Sequence, residues 1–376
     1  MTADRIAIPS ELLPGDGRFE SGPSKVRQEA IEALTAAAPT YLGTSHRRDG
    51  VKEVVGRIRE GLGRFFSLPD GYEVVLGNGG TTMLWDGLVF GFIDQASLHY
   101  VFGEFSARFA EAAALSLHLR PPVVIEAEPG THPPFEVDER VDVFALTHNE
   151  TSTGVSMPVR RPGTEGLVAV DATSAAGGLR VDPKDFDIYY FAPQKCFASD
   201  GGLWLALCSP AAIERIETLG ESDRYIPFSL DLLVALTNSR LDQTYNTPAL
   251  ATLFLLAHQI DWMLEQGGLE WAASRCDDSA HRLYTWADKA ANARPFVVDP
   301  DQRSHVVGTI DFEDDVDAAA VANVLRSNGV VDVEPYRKLG RNQLRVALYP
   351  AIEPDDVEAL THSVDFVVDA LRGDTR

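Results

Sequence analysis

Between residues 72 and 207 the chain alternates short apolar runs with longer stretches of helical spacing, an order that few architectures accept. Strand candidates fall at 72–76, 98–102, 123–126, 141–146, 166–170, 188–192 and 202–207, and helical patterns occupy 83–92 and 105–117 between them. Ahead of them, Val51, Val54, Val55, Ile58, Leu62 and Phe65 repeat at helical spacing, and Pro69-Asp70-Gly71 makes a turn. Such alternation predicts an α/β fold, a mostly parallel central sheet with helices on both faces. Thr247-Pro248 reads as a helix start with Thr at the N-cap and Pro at the first turn, and the apolar run 250–264 then continues to Gly267-Gly268. Shorter patterns at 306–312, 318–325, 330–333, 343–349 and 357–371 predict a smaller C-terminal α+β domain. The expected division is a large domain over 18–266 and a small one over 267–376, with residues 1–17 packed against the latter.

A chain of 376 residues can bury two such cores. Its formal charge of −23, from 33 basic against 56 acidic side chains, repels a phosphate backbone and speaks against nucleic acid as a partner. Cys196, Cys208 and Cys276 are odd in number and form no CxxC pair, so a disulfide framework and a structural zinc site are both disfavoured and a reducing cytoplasm is implied. No secretory signal pattern and no apolar stretch of membrane-spanning length is present, so no membrane partner is expected. His258, His281, His305 and His362 stand alone at non-ligand spacing, and no metal is expected.

The chemistry lies at strand ends. The run 188–192 is followed by Pro193-Gln194-Lys195, and the run 166–170 ends on Asp171. Taken singly, a lysine after a strand is most often a solvated loop charge and an aspartate there a turn former. Taken together, on the carboxyl edge of a parallel sheet, they are what pyridoxal phosphate requires. The lysine amine forms a Schiff base with its aldehyde, and the carboxylate keeps the pyridine nitrogen protonated. Gly77-Asn78-Gly79-Gly80-Thr81-Thr82 stands directly before a helical pattern, where free amides favour a phosphate. It matches neither the dinucleotide nor the P-loop spacing. Arg47 in a loop and Arg345 inside an apolar strand could each grip a substrate carboxylate with a planar fork. Alone, each would read as a solvated charge or an internal salt bridge.

The ordered set Ser45-His46-Arg47, Asn149-Glu150-Thr151, Asp171-Ala172-Thr173-Ser174, Ala192-Pro193-Gln194-Lys195, Tyr245-Asn246-Thr247-Pro248 and Leu344-Arg345-Val346-Ala347 resembles the phosphoserine aminotransferases, in particular their actinobacterial branch. The resemblance runs through nearly the whole chain. It implies the aspartate-aminotransferase-like fold, type I of the PLP-dependent transferases, and membership of class V. It also implies transfer of an amino group from glutamate to 3-phosphohydroxypyruvate, for serine biosynthesis and in some lineages vitamin B6 biosynthesis.

By that resemblance Lys195 holds the cofactor and Asp171 faces its ring nitrogen. Gly80, Thr81 and Gln194 hold its phosphate, Thr151 its phenolic oxygen, and Phe105 stacks where many relatives place Trp. Asn246 and Thr247 reach the phosphate from the other subunit of a homodimer. Arg47, assisted by His46, and Arg345 bind substrate, with Arg345 on the α-carboxylate. Many relatives carry His-Arg six or seven positions before that arginine, whereas this chain has Lys338-Leu339-Gly340-Arg341, so Lys338 and Arg341 are expected to bind the substrate phosphate. Cys196 stands where Asn is common. Competing readings are an alanine, serine or glyoxylate aminotransferase of the same class, a cysteine desulfurase, and a PLP-binding oligomer without catalysis. The last needs neither Arg47 nor Arg345, and the first needs no phosphate pocket.

Overall fold

In a computed structural model, the described residues are 6–163 and 165–373. The large sheet has seven strands: β1 (Glu73–Asn78), β2 (Ser97–Val101), β3 (Val123–Glu126), β4 (Val143–Thr147), β7 (Leu167–Asp171), β8 (Ile188–Phe191) and β9 (Leu203–Cys208). They lie in the order β1-β9-β8-β7-β4-β2-β3. The neighbours from β8 through β3 pair in parallel, and β9 runs antiparallel to both β8 and β1. A two-stranded ribbon, β5 (Asn149–Glu150) with β6 (Val155–Ser156), follows β4.

Period-two alternation divides the sheet into two buried faces. Val168, Val170, Tyr189 and Phe191 face a core shared with α2 (Asp49–Phe65) and α7 (Leu250–Gln266). The predicted stripe of α2, from Val51 to Phe65, is buried there, and each such side chain contributes about 1.5–3 kcal/mol when fully removed from water. α1 (Gln28–Tyr41) packs outside α7. Ala169, Ile188 and Tyr190 face the opposite core, built with α3 (Thr81–Gly91), α4 (Glu104–Ala114), α5 (Pro210–Gly220) and α6 (Leu232–Ser239).

A third core gathers α8 (Gly268–Ala287), α9 (Ala318–Ser327) and α10 (Pro354–Gly373) around an antiparallel sheet of β10 (Ala293–Pro295), β11 (Val307–Phe312) and β12 (Gln343–Ala347). Ile6, Ile8 and Phe19 are buried in the same cluster, and residues 1–5 lie outside the described ones. Gly267 and Gly268, at φ +130° and +69°, break the chain sharply between two long helices, a conformation β-carbons resist.

The segment 330–333 contributes an isolated bridge between Val331 and Arg18. One sequence expectation needs correction. Thr247 does not cap α7: the helix starts at Leu250, after an extended Ala249 at φ −69° and ψ 96° with no side-chain cap. The residue before a proline avoids the helical region. The Thr247 side chain instead meets His46, and its carbonyl accepts from Asn78.

Candidate active site

The carboxyl ends of β2, β4, β7 and β8 open on one edge of the sheet and carry Gly103–Phe105, Asn149–Thr151, Asp171 and Gln194-Lys195. Because β9 is antiparallel, its start lies on that same edge beside the end of β1, with Asn78 opposite Leu203. Gly79 donates to the Gly202 carbonyl at 3.0 Å, and Gly80 is the N-cap of α3. The first amides of α3 therefore reach the edge where Asp171 and Lys195 stand, with Thr81 buried in its first turn.

Asp171 is only 4% exposed and lies on the Ala169 side of β7. Its Oδ2 accepts from the indole Nε1 of Trp85 at 3.0 Å, and its Oδ1 accepts from the amide and hydroxyl of Thr173 at 2.9 and 2.6 Å. Burial pushes this carboxyl above its ordinary range, against the pull of those donors. All three donors are neutral, so a protonated ring nitrogen would supply the cation that such a carboxylate lacks. The phenol of Tyr190, on the same face, is buried without a partner.

The Lys195 amine donates to the Ser21 carbonyl at 2.6 Å, and Tyr349 donates to the same oxygen at 2.8 Å. Gly22 lies so close that a β-carbon there would stand 2.0 Å from Nζ. Burial first, and the neighbouring Arg345 second, lower the lysine to about 8, so far more of the amine is the free nucleophile near neutral pH than in an exposed lysine.

Around this amine, Ser21 Oγ, Gln194 Oε1 and Arg345 Nε are buried without partners. A polar ligand with several acceptors and donors would meet these needs, so the residues fit pyridoxal phosphate.

Thr151 Oγ1 donates to Ser174 Oγ at 2.8 Å, as does Asn149 Nδ2. Cys196 donates from Sγ to the Ser174 carbonyl, so it packs beside the site. Glu150 is fully buried and accepts from the Phe105 and Ser106 amides at the start of α4, which fixes Phe105 beside Tyr336 at 6.0 Å between ring centroids.

Arg345 rises from β12 toward this edge. Its Nη1 donates to the Thr151 carbonyl at 3.3 Å, and its guanidinium lies 5.5 Å from the centre of the Tyr336 ring. Lys338 forms an ion pair with Glu104, one residue before Phe105.

Arg341 departs from expectation. Its Nε and Nη2 both engage Asp311, which is buried on β11 and also accepts from Gln343. An internal carboxylate thus occupies the fork expected to bind a substrate phosphate.

His46, Arg47, Asn246 and Thr247 form a second group. Arg47 donates to Gln243 Oε1 at 2.7 Å, and His46 Nδ1 and the Thr247 hydroxyl are 3.2 Å apart. Burial and the adjacent Arg47 lower the His46 pKa, and its Nε2 is buried without a partner. No hydrogen bond among the described residues joins this group to Lys195 or Asp171. Its flank is apolar and open: Tyr245 is 50% and Phe228 72% exposed, lining a small cavity of about 170 Å³ with Asn78 and Asn246.

Sequence reasoning missed Trp85, Ser21, Tyr349 and the buried role of Glu150. Only Glu150 lay within a motif that could have drawn attention.

Residues 129–360 match the family described as aminotransferase class-V. A phosphoserine aminotransferase of Nocardioides is 59% identical over 98% of this chain and all of its own length. A protein of Mycobacterium leprae that carries the same name provisionally is 60% identical over 97% of this chain and 98% of its own. Among solved structures, a phosphoserine aminotransferase from Cytophaga hutchinsonii aligns with a TM-score of 0.84 at 26% identity, covering 93% of this chain and 99% of that one. With this likeness spanning nearly the whole chain, the chain belongs to the phosphoserine aminotransferase family within the class-V aminotransferases.

Proposed function

We propose that this protein transfers the amino group of L-glutamate to 3-phosphohydroxypyruvate, giving 2-oxoglutarate and O-phospho-L-serine. The observation that carries the reading is the buried Lys195 amine, with a pKa of about 8, set between the buried carboxylate of Asp171 and the guanidinium of Arg345 in a chain of this family. Pyridoxal phosphate, when bound, supplies an aldehyde that captures amines and a ring that draws electrons from the neighbouring carbon.

Lys195 would hold the cofactor through its aldehyde, and its amine is the base that would move the proton of the substrate's α-carbon. Asp171 would keep the ring nitrogen protonated, and Trp85 and Thr173 keep its carboxylate oriented. Gly80 and Thr81, with the amides of the α3 start, and Gln194 from the loop after β8 would hold the cofactor phosphate. Thr151 would hold the cofactor's phenolic oxygen, and Phe105 would supply an aromatic ring to pack on it. Arg345 takes the α-carboxylate in a two-pronged grip, and Lys338, released from Glu104, meets the acceptor's phosphate.

His46, Arg47, Asn246 and Thr247 complete the site of a second copy in a two-fold dimer. The lack of any hydrogen bond from them to Lys195 among the described residues, and the exposed Tyr245 and Phe228 beside them, support that arrangement. We also retain the division into domains 18–266 and 267–376, supported by two cores that each draw mainly on one of them, and a cytoplasmic location, supported by three free, buried cysteines. No helix among the described residues is long and apolar enough to cross a membrane.

A panel pairing glutamate with 3-phosphohydroxypyruvate, hydroxypyruvate, pyruvate and glyoxylate tests the reading. Strong preference for the phosphorylated acceptor is expected, since a pocket built for phosphate keeps uncompensated charge without it. Equal turnover of glyoxylate or pyruvate would move the protein to the other aminotransferases of its class.

A further inference from the structure

The residue before Ser21 bears a charge for which the proposed chemistry has no role. Glu20 places Oε1 3.6 Å from Nη2 of Arg345, and the two side chains are 32% and 13% exposed, at the mouth of the site. Arg345 is meanwhile held at its other edge by the Thr151 carbonyl and the Tyr336 ring, with Nε buried and unpartnered. At 3.6 Å Glu20 is beyond hydrogen-bond length, so it engages by charge and leaves the guanidinium fork unfilled. A substrate carboxylate seated on that fork must share it with Glu20 or displace it.

The charged and titratable groups facing Glu20 are Arg345, Lys195, Asp332 and Tyr349. Burial, with Asp332 adding to it, holds the Glu20 carboxyl above its usual range, and Arg345 and Lys195 oppose that shift. The favourable partners of this partly desolvated carboxylate are thus two cations that the reaction itself needs.

We propose that Glu20 is a specificity residue for the reaction, an internal carboxylate that competes with substrate carboxylates for Arg345. It rests on the reading of Arg345 as the carboxylate site. Only ligands that form the two-pronged bond displace Glu20, and the returning Glu20 charge helps product carboxylates to leave. The cost is weaker binding of every carboxylate substrate than Arg345 alone would give.

The test measures calorimetric binding of 2-oxoglutarate to the cofactor-loaded protein and steady-state kinetics with glutamate, in wild type, E20Q, E20A, E20D and R345Q. With the charge removed, E20Q and E20A should bind 2-oxoglutarate about two- to fivefold more tightly, the scale of one partly exposed ion pair. Their KM for glutamate should fall by a similar factor, with kcat within about twofold, a split that a merely structural role does not produce. E20D, which keeps the charge, should stay near wild type. R345Q should lose affinity at least about tenfold, as expected for a two-pronged charged contact. Wild-type binding by R345Q would refute the carboxylate reading of Arg345. Weakened R345Q together with unchanged or weakened E20Q and E20A would overturn the role of Glu20 while leaving that reading in place.

Discussion

Replacing Trp85 with Phe isolates one hydrogen bond at the centre of the site. The indole Nε1 lies 3.0 Å from Asp171 Oδ2, and Trp85 and Asp171 are 3% and 4% exposed. Phe keeps an aromatic ring against Phe109, where the native rings stack at 6.4 Å between centroids. The lost bond to a charged acceptor is about 1.5–3 kcal/mol. If the transition state depends on it fully, turnover falls roughly ten- to a hundredfold. Trp85 is among the donors that pull the Asp171 carboxyl down against burial. Without it the carboxyl rises further, becomes protonated at higher pH, and releases the ring nitrogen sooner as pH falls. Cofactor absorbance during acid titration, alongside kcat, measures this. The pH midpoint for cofactor loss should move upward in W85F. A smaller ring alone would lower the thermal midpoint without moving that pH. Unchanged kcat and an unchanged pH midpoint would refute the claim that Trp85 tunes Asp171.

Three further outcomes follow from other contacts. Arg341→Gln should lower stability by about 1–3 kcal/mol in denaturant unfolding, because it leaves the buried Asp311 without its cation, a loss reduced by Arg341's own exposure. The preference for the phosphorylated acceptor should survive, and a collapse of that preference would return Arg341 to the substrate site. Lys195 is depressed from 10.5 to about 8 in the fold, so the unfolded chain holds more protons between those values and stability of the cofactor-free protein should rise with pH across that window. Measured against Lys195→Met, which removes the group, a flat difference from pH 8 to 10.5 would contradict the burial of the amine. Mixing Lys195→Ala subunits with subunits altered at both Asn246 and Thr247 should restore activity, since one site of the hybrid then inherits neither defect. A fully active monomer would rule out the composite site.

What the sequence makes legible depends on whether a feature is local. Lys195 and Asp171 could be read because each ends an apolar run, and parallel strands carry their ends to one edge. The antiparallel direction of β9 could not, because its apolar run reads alike in either sense. Trp85 sits in α3, whose apolar pattern hides a single polar tip, and its partner lies on β7. Arg341 looked like a free cation because strand register is invisible in the chain, and it is register that brings Asp311 opposite Gln343 and within its reach. At Thr247 the local cap signal was present, but Pro248 and Ala249 stay outside the helix, which begins three residues later. Glu20 lies in a stretch without periodicity, and only the fold places it at Arg345.

Borohydride reduction of the cofactor-saturated protein, followed by peptide mapping, is the most direct test of Lys195 as the residue that holds the cofactor. The account predicts one reduced pyridoxyl label, on a peptide containing Lys195, and loss of glutamate to 3-phosphohydroxypyruvate transfer in proportion to labelling. A label on another lysine, or none on saturated protein, would contradict it.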